Sequence, residues 1–329
     1  MTTPIRVLIS SAGRRVELLR LWRRALASLE LEGSVLGADI SRLSAAYHEA
    51  DHSFQVPRCT APDFVPEMIE LCRRERIAIV VPTIDTELPA LAAARSEFAA
   101  VGTRVHVSAP EVIAIGYDKR TTHAWFVAQG LPTVLQAEPS DVLSAGRRWA
   151  FPLIAKPVRG SSSIGLARVE NVDELARLTE GKDYVVQQIA TGVEYTVDVF
   201  VDRGGRCRCA VPRRRLEVRA GEVSKGMTVR EPSVIDLAVR VAEALPGAWG
   251  CLNIQIFHDA ETGQLALIEL NPRFGGGFPL SCEAGADYPR WILEEVLGRP
   301  STAHDRWTDG LVMLRYDAAV FRSRQECGV

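Results

Sequence analysis

Two residues in the last quarter of the chain, Glu269 and Asn271, have the type and spacing to hold a cation. They stand two apart in 265–273, a run that alternates apolar and polar residues, so they share one face of a strand. The run 249–257 alternates in the same way, and Asp259-Ala260-Glu261-Thr262-Gly263 between the two has hairpin-turn composition. A hairpin centred near residue 262 sets Gln255 opposite Glu269 and Asn253 opposite Asn271. One strand pair then presents only oxygen ligands carrying little charge, which suits Mg²⁺ that also binds phosphates. An amphipathic edge hairpin with its polar face in water fits the alternation equally well. The continuation Pro272-Arg273-Phe274-Gly275-Gly276-Gly277 favours the site, because three glycines weaken a strand but let backbone approach an anion.

A second set of residues suits phosphate. Phe151-Pro152-Leu153-Ile154-Ala155-Lys156-Pro157 reads as a strand ending in a lysine, followed by the small-residue loop 158–166, which contains Ser161, Ser162 and Ser163. Such a loop exposes successive N–H groups and hydroxyls, and Lys156 beside it supplies a fixed countercharge. The order GxxxxGK[ST] and a following helix are missing, so this is not a P-loop, and a hairpin tip with no ligand is the alternative. Asp183–Ile189 and 194–200 read as further strands, and Glu194 at the start of the latter can bind two ribose hydroxyls or sit solvated beside its turn.

These groups need a frame. Near the N-terminus, short apolar strands at 5–10, 34–39, 77–82 and 105–107 alternate with helical patterns at 16–26, 64–74 and up to Ala100. That order predicts a doubly wound parallel sheet, in which ligands sit at the carboxyl ends of strands. Ser11–Arg15, Asp39 and Thr83–Glu87 fall there, as candidates for substrate contacts or for packing against the next domain. One glycine at position 13 does not make the dinucleotide fingerprint GxGxxG. Beyond residue 109 the pattern changes to short helices, with Lys119 at the start of one, and then to strands.

Composition narrows the function classes. The 329 residues are 47% hydrophobic, enough for two or three compact units with a large core. A net charge of −2 gives no support to a general nucleic-acid binder. No apolar run reaches transmembrane length, and the chain enters a strand within a few residues of its start, so no signal peptide and no membrane partner are expected. Seven cysteines at irregular spacing give neither a disulfide framework nor a zinc pattern, and a cytoplasmic setting with reduced thiols is expected.

The pieces stand in a recognisable order: Asp-Lys on a helix, Lys-Pro with a Gly/Ser loop, Gln-Gln-Ile, Gly-Val-Glu-Tyr-Thr-Val-Asp, Asn-x-Gln and Glu-Leu-Asn-Pro-Arg. This order resembles the ATP-grasp superfamily, in its carbamoyl-phosphate-synthetase-like branch, over essentially the whole chain. The resemblance implies an α/β fold. A doubly wound parallel pre-ATP-grasp domain at 1–108 precedes an ATP-grasp domain of two α+β subdomains at 109–329, with a mobile lid subdomain at about 135–190. It implies ATP and Mg²⁺, or Mn²⁺ in its place, as cofactors. By position, Lys119 and Lys156 contact the nucleotide phosphates, and Ser161, Ser162 and Ser163 form the lid loop over them. The backbone of Gln188 and Ile189 meets the adenine edge, with Gln187 beside it, and Glu194 meets the ribose. Gln255, Glu269 and Asn271 match the magnesium positions; many relatives carry a carboxylate at the place of Gln255, which leaves Glu269 as the main charged ligand. Arg273 matches the arginine facing the γ-phosphate and acyl-phosphate. Lys225, a catalytic candidate, lies with Arg213 and Arg215 in the expected mobile segment 203–230, which in relatives lies near the reacting centre. The implied activity is that of a single-unit carboxylate–amine ligase acting on small molecules, amino acids above all, and by family resemblance as a homodimer. Carbamoyl-phosphate-type synthesis, which implies two grasp units, and a non-catalytic ATP-binding regulator are the alternatives.

Overall fold

The computed structural model describes residues 4–144, 149–160, 164–219 and 221–329. Three sheets carry the fold. In the first, strands β1 (Ile5–Ser10), β2 (Gly33–Asp39), β3 (Ser53–Gln55), β4 (Ile79–Pro82) and β5 (Arg104–Val105) lie in the order β3-β2-β1-β4-β5, all parallel. The apolar runs are continuous because both faces are covered. Val7, Ile9 and Val35 join one core with the helix Val16–Ser28, and Leu8, Leu36 and Val80 join another with the helix Phe64–Glu75. The short edge strand β3 was not legible from its three residues, and the expected strand at 105–107 is only Arg104–Val105. The helical run ending at Ala100 breaks at Ala94 into Leu88–Ala93 and Arg95–Ala100.

The second sheet has four antiparallel strands, β6 (Gln136–Ala137), β7 (Leu153–Pro157), β8 (Ala167–Val169) and β9 (Tyr184–Gln188), in the order β6-β9-β7-β8. Alternation divides β7 cleanly: Leu153 and Ala155 enter the small core with Val186, so Ile154 and Lys156 take the other face.

The third sheet has six antiparallel strands, β10 (Val193–Val201), β11 (Cys207–Arg219), β12 (Glu222–Thr228), β13 (Gly250–Asp259), β14 (Gln264–Asn271) and β15 (Val312–Leu314), in the order β14-β13-β10-β11-β12-β15. One face buries Val197, Val199, Leu252 and Ile254 under the helix Pro232–Ala244. On the other face, Phe200, Cys209, Val211 and Phe274 share a single core with Val7 and Ile9 of the first sheet. Residues 203–230 were expected as a mobile segment. Apart from residue 220, which is not described, they form β11, β12 and their flanks, because Cys209 and Val211 are buried and Arg213 is tied to β10.

Candidate active site

The polar face of the third sheet is laid out by the two-residue period of its strands. Asn253 pairs with Asn271 and Gln255 with Glu269, the register expected from the turn, and a bulge follows between Gln255 and Ile256. On the other side of β13, Asp198 lies opposite Asn253 and Thr196 opposite Gln255. The rows Asp198–Asn253–Asn271 and Thr196–Gln255–Glu269 therefore cross three strands on one face.

This face closes one side of a cavity of about 300 Å³ between the sheets. Lys156 and Ile154 of β7 and Gln187 and Gln188 of β9 line it from the second sheet, with Lys119 and Gly160. Arg273 and Gly275–Gly277 line it after β14, and Arg15 reaches it from the first sheet. Among the described residues, seven lysines and arginines line the cavity against two carboxylates, Glu194 and Glu269, so the space suits a polyanion. Apolar surface from Ile154, Leu166, Phe257 and Ile268 lies within the same lining and suits a planar base.

Most of the residues singled out from sequence come together here: Lys119, Lys156, Gln187, Gln188, Ile189, Glu194, Gln255, Glu269, Asn271 and Arg273 all line the cavity. Ser161, Ser162 and Ser163 lie outside the described residues. Lys225 does not join the lining; it sits exposed on β12, where its ammonium pairs with Glu217 at 2.6 Å. The β11–β12 pairing sets that side chain toward the strand partner, which a weak positional match could not reveal.

Burial sets the electrostatics. Lys156 is 5% exposed, and desolvation lowers its pKa to about 8, against the opposing pull of Glu269 and Glu194. Burial raises the pKa of Glu194, partly offset by Arg215, whose guanidinium lies 3.4 Å away and donates to Thr196. Lys119 donates from Nζ to the Gly160 carbonyl at 2.8 Å, which ties the helix Lys119–Ala128 to the loop after β7. Gln187 donates to Gln136, which donates to the Lys119 carbonyl.

Two arginines are held by residues that single-sequence reading did not assign. Arg273 donates from Nε and Nη2 to the two carboxylate oxygens of Asp85, at 3.0 and 2.6 Å. Burial works against the guanidinium charge, and Asp85 outweighs it, so Arg273 stays firmly protonated. Asp85 was a candidate at a strand end, but its partner lies 188 positions away. Arg213 makes the same two-fold contact with the fully buried Asp198, which also accepts from Ser281 and Asn253. A charged residue between Val197 and Val199 was the available signal for that network.

The hairpin's oxygen set is the Glu269 carboxylate with the amide oxygens of Gln255 and Asn271. It fits Mg²⁺, which keeps part of its shell for phosphate and water. Among the described residues, no three His, Cys, Asp or Glu side chains gather as a metal cluster.

Comparison with known proteins bears on this arrangement. A family model described as ATP-grasp in the biosynthetic pathway with Ter operon matches residues 180–318. That stretch is an ATP-grasp domain. A second model, PylC-like, N-terminal domain, matches residues 7–106, ahead of that ATP-grasp domain. The D-alanine–D-alanine ligase B of Pseudomonas putida KT2440 is 29% identical over 210 residues, covering 55% of this chain and 63% of that protein. The chain thus spans less than two thirds of the length of the first curated relatives it matches. Among solved structures, an ADP complex of PurK, N5-carboxyaminoimidazole ribonucleotide synthetase, matches with TM-score 0.74 and 15% identity, covering 95% of this chain and 82% of that one. The biotin carboxylase domain of Hydrogenobacter thermophilus 2-oxoglutarate carboxylase, with MgADP and bicarbonate, matches with TM-score 0.74 and 16% identity over 94% and 74% of the two chains. At these identities the likeness is one of ATP-grasp fold. No helix among the described residues is long and apolar enough to cross a membrane.

Proposed function

We propose that this ATP-grasp protein is an ADP-forming carboxylate–amine ligase that activates a small carboxylate, an amino acid in the first instance, as an acyl-phosphate. The observation that carries this is the convergence of Lys119, Lys156 and Arg273 on one cavity with Gln255, Glu269 and Asn271. A carboxylate cannot expel oxide, so it must first be phosphorylated. The substrate oxygen attacks the γ-phosphorus, the bond to the β–γ bridging oxygen breaks, and ADP leaves. The amine then attacks the acyl carbon, phosphate departs with the former carboxylate oxygen, and the amine loses a proton. Lys119 and Lys156 hold the phosphates, and Arg273, which lines the same cavity while donating to Asp85, the Phe274 carbonyl and Asn271, brings its positive charge to the transferring oxygens. Glu194 orients the ribose, and Ile154, Phe257 and Ile268 take the base. Glu269, Gln255 and Asn271 would hold Mg²⁺, or Mn²⁺, which would supply charge neutralisation for the nucleotide phosphates. A lid over the phosphates, the role the resemblance gives to Ser161, Ser162 and Ser163, would keep water from the acyl-phosphate. In this reading residues 109–329 form the catalytic domain and 1–108 carries Arg15 and Asp85 to its edge.

The test is a screen of paired amino acids and other acids for release of ADP and phosphate, with mass analysis of the product. A condensed product from the wild type, and at least a hundredfold loss of turnover in a folded Glu269→Gln variant, is the expected result. Near-normal turnover of that variant at saturating Mg²⁺ would remove the hairpin from the chemistry. ATP binding with no substrate-stimulated phosphate release across the screen would favour a nucleotide-binding regulator.

A further inference from the structure

A second hollow, of about 150 Å³, lies where the end of the first sheet meets the start of β13, and it shares no lining residue with the cavity above. Its wall is Thr103, Val105 and Val107, and three arginines from separate parts of the chain converge on it: Arg95, Arg104 and Arg203. The Arg203 guanidinium lies over the Trp249 ring, 5.3 Å from its centroid. The carboxylates nearby are committed elsewhere. Glu295 accepts from the Trp249 ring N–H at 2.6 Å and from the Arg203 main-chain N–H at 3.3 Å. Asp202 accepts from the Gly204 and Arg206 main-chain N–H groups in its own turn. Among the described residues, the Arg95 and Arg104 guanidinium groups have neither hydrogen bond nor ion pair.

Like charges converging on one concave wall repel each other, and the low-dielectric wall concentrates their field. Burial and the charge of Arg104 hold the Arg203 pKa below its ordinary value, only partly offset by Glu295. An anion between the three forks relieves that repulsion, and guanidinium geometry matches phosphate oxygens two at a time. The volume admits a phosphate group with a short carbon body and excludes a nucleotide. We propose that this hollow is a second anion site, which binds a phosphate group, free or as a small monoester, between Arg95, Arg104 and Arg203.

The test is calorimetric titration of inorganic phosphate, and separately of glycerol 3-phosphate, into the full chain. The nucleotide cavity is first filled with a non-hydrolysable ATP analogue and Mg²⁺, at ionic strength near 0.15 M so that diffuse surface charge is screened. One equivalent of phosphate should still bind, and the tighter of the two probes tells whether free phosphate or an ester is preferred. The double variant Arg104→Gln/Arg203→Gln should weaken phosphate at least tenfold while its affinity for the ATP analogue stays within twofold. Arg95→Gln, on a different element, should weaken phosphate as well, which guards against a fold defect confined to the double variant. No phosphate binding to the analogue-filled wild type overturns the proposal. So does equal phosphate binding by the wild type and both variants.

Discussion

At the scale of single residues, Arg273 and Lys156 carry the sharpest expectations. Arg273 donates to both carboxylate oxygens of Asp85, to the Phe274 carbonyl and to Asn271 Oδ1, and a lysine can keep only part of that set and lacks the planar fork. Arg273→Lys should hold nucleotide affinity within about tenfold, roughly 1.4 kcal/mol, yet lower kcat by on the order of 10². Calorimetric ATP titration beside single-turnover phosphate release measures the two separately. Joint loss of thermal stability and affinity, with unchanged turnover per ATP-bound molecule, would reduce Arg273 to a tie for Asp85. If Lys156 holds phosphate as proposed, nucleotide binding should be sensitive to pH. Its folded pKa is about 8, below the 10.5 of a free lysine, so above pH 8 the empty site holds a neutral amine. Binding phosphate restores the charge, so ATP should take up close to one proton at pH 9 and almost none at pH 6.5. Titrations in two buffers of different ionisation heat read that number, and Lys156→Arg should abolish the difference. The linkage to folding has the opposite sense: between pH 8 and 10.5 the unfolded chain holds more protons at this position, so its contribution to stability rises with pH.

At the scale of elements, the glycines after β14 have a physical reason that differs from the expected one. A Cβ on Gly277 would stand 2.2 Å from Arg213 Nη1 and 2.7 Å from Val223 Cγ1. Arg213 cannot swing aside, because both arms of its fork are fixed by the buried Asp198. Glycine at 277 is therefore required for β11 and the post-β14 loop to pass each other, besides any approach to an anion. Gly277→Ala should cost about 1–3 kcal/mol of unfolding free energy as overpacking against a pinned side chain. Urea denaturation reads this as a lower midpoint at unchanged slope. A midpoint equal to wild type would show that Arg213 moves freely.

At the scale of the whole molecule, one core runs from the first sheet into the third, and His106 sits at the seam. Its ring packs against Trp249 and Phe274, with centroids 5.4 and 5.2 Å away, and its Nε2 accepts from the Cys251 main-chain N–H. The close passage requires glycine at 250, where a Cβ would stand 2.0 Å from the ring. Full burial lowers the His106 pKa from 6.5 to about 3. The folded ring is thus neutral where the unfolded one is charged, and stability present above pH 6.5 is lost as pH falls toward 3. The loss approaches about 1.4 kcal/mol per pH unit inside that window. Urea midpoints measured from pH 7 to pH 4 should fall more steeply for the wild type than for His106→Gln, after allowance for the variant's lower starting stability. Equal slopes would place the acid sensitivity in other groups.

Period-two alternation and turn chemistry are local properties, so the β13–β14 hairpin, its register, Lys156 at a strand end and the parallel first sheet were all determined by the sequence alone. The ATP-grasp order of motifs belongs to the same class, because it is a string of such local elements. Tertiary structure decided the partners. Asp85 meets Arg273 across 188 positions, and nothing near either residue specifies the other. Asp198 is a charged residue within a largely apolar strand, and Arg213, Asn253 and Ser281 come from three other segments to satisfy it. Lys225 went the other way: its type suited the site, but pairing of β12 with β11 set it against Glu217 in solvent. A salt bridge between distant segments depends on how sheets stack, and stacking is a sum over the whole core that no short window of residues contains.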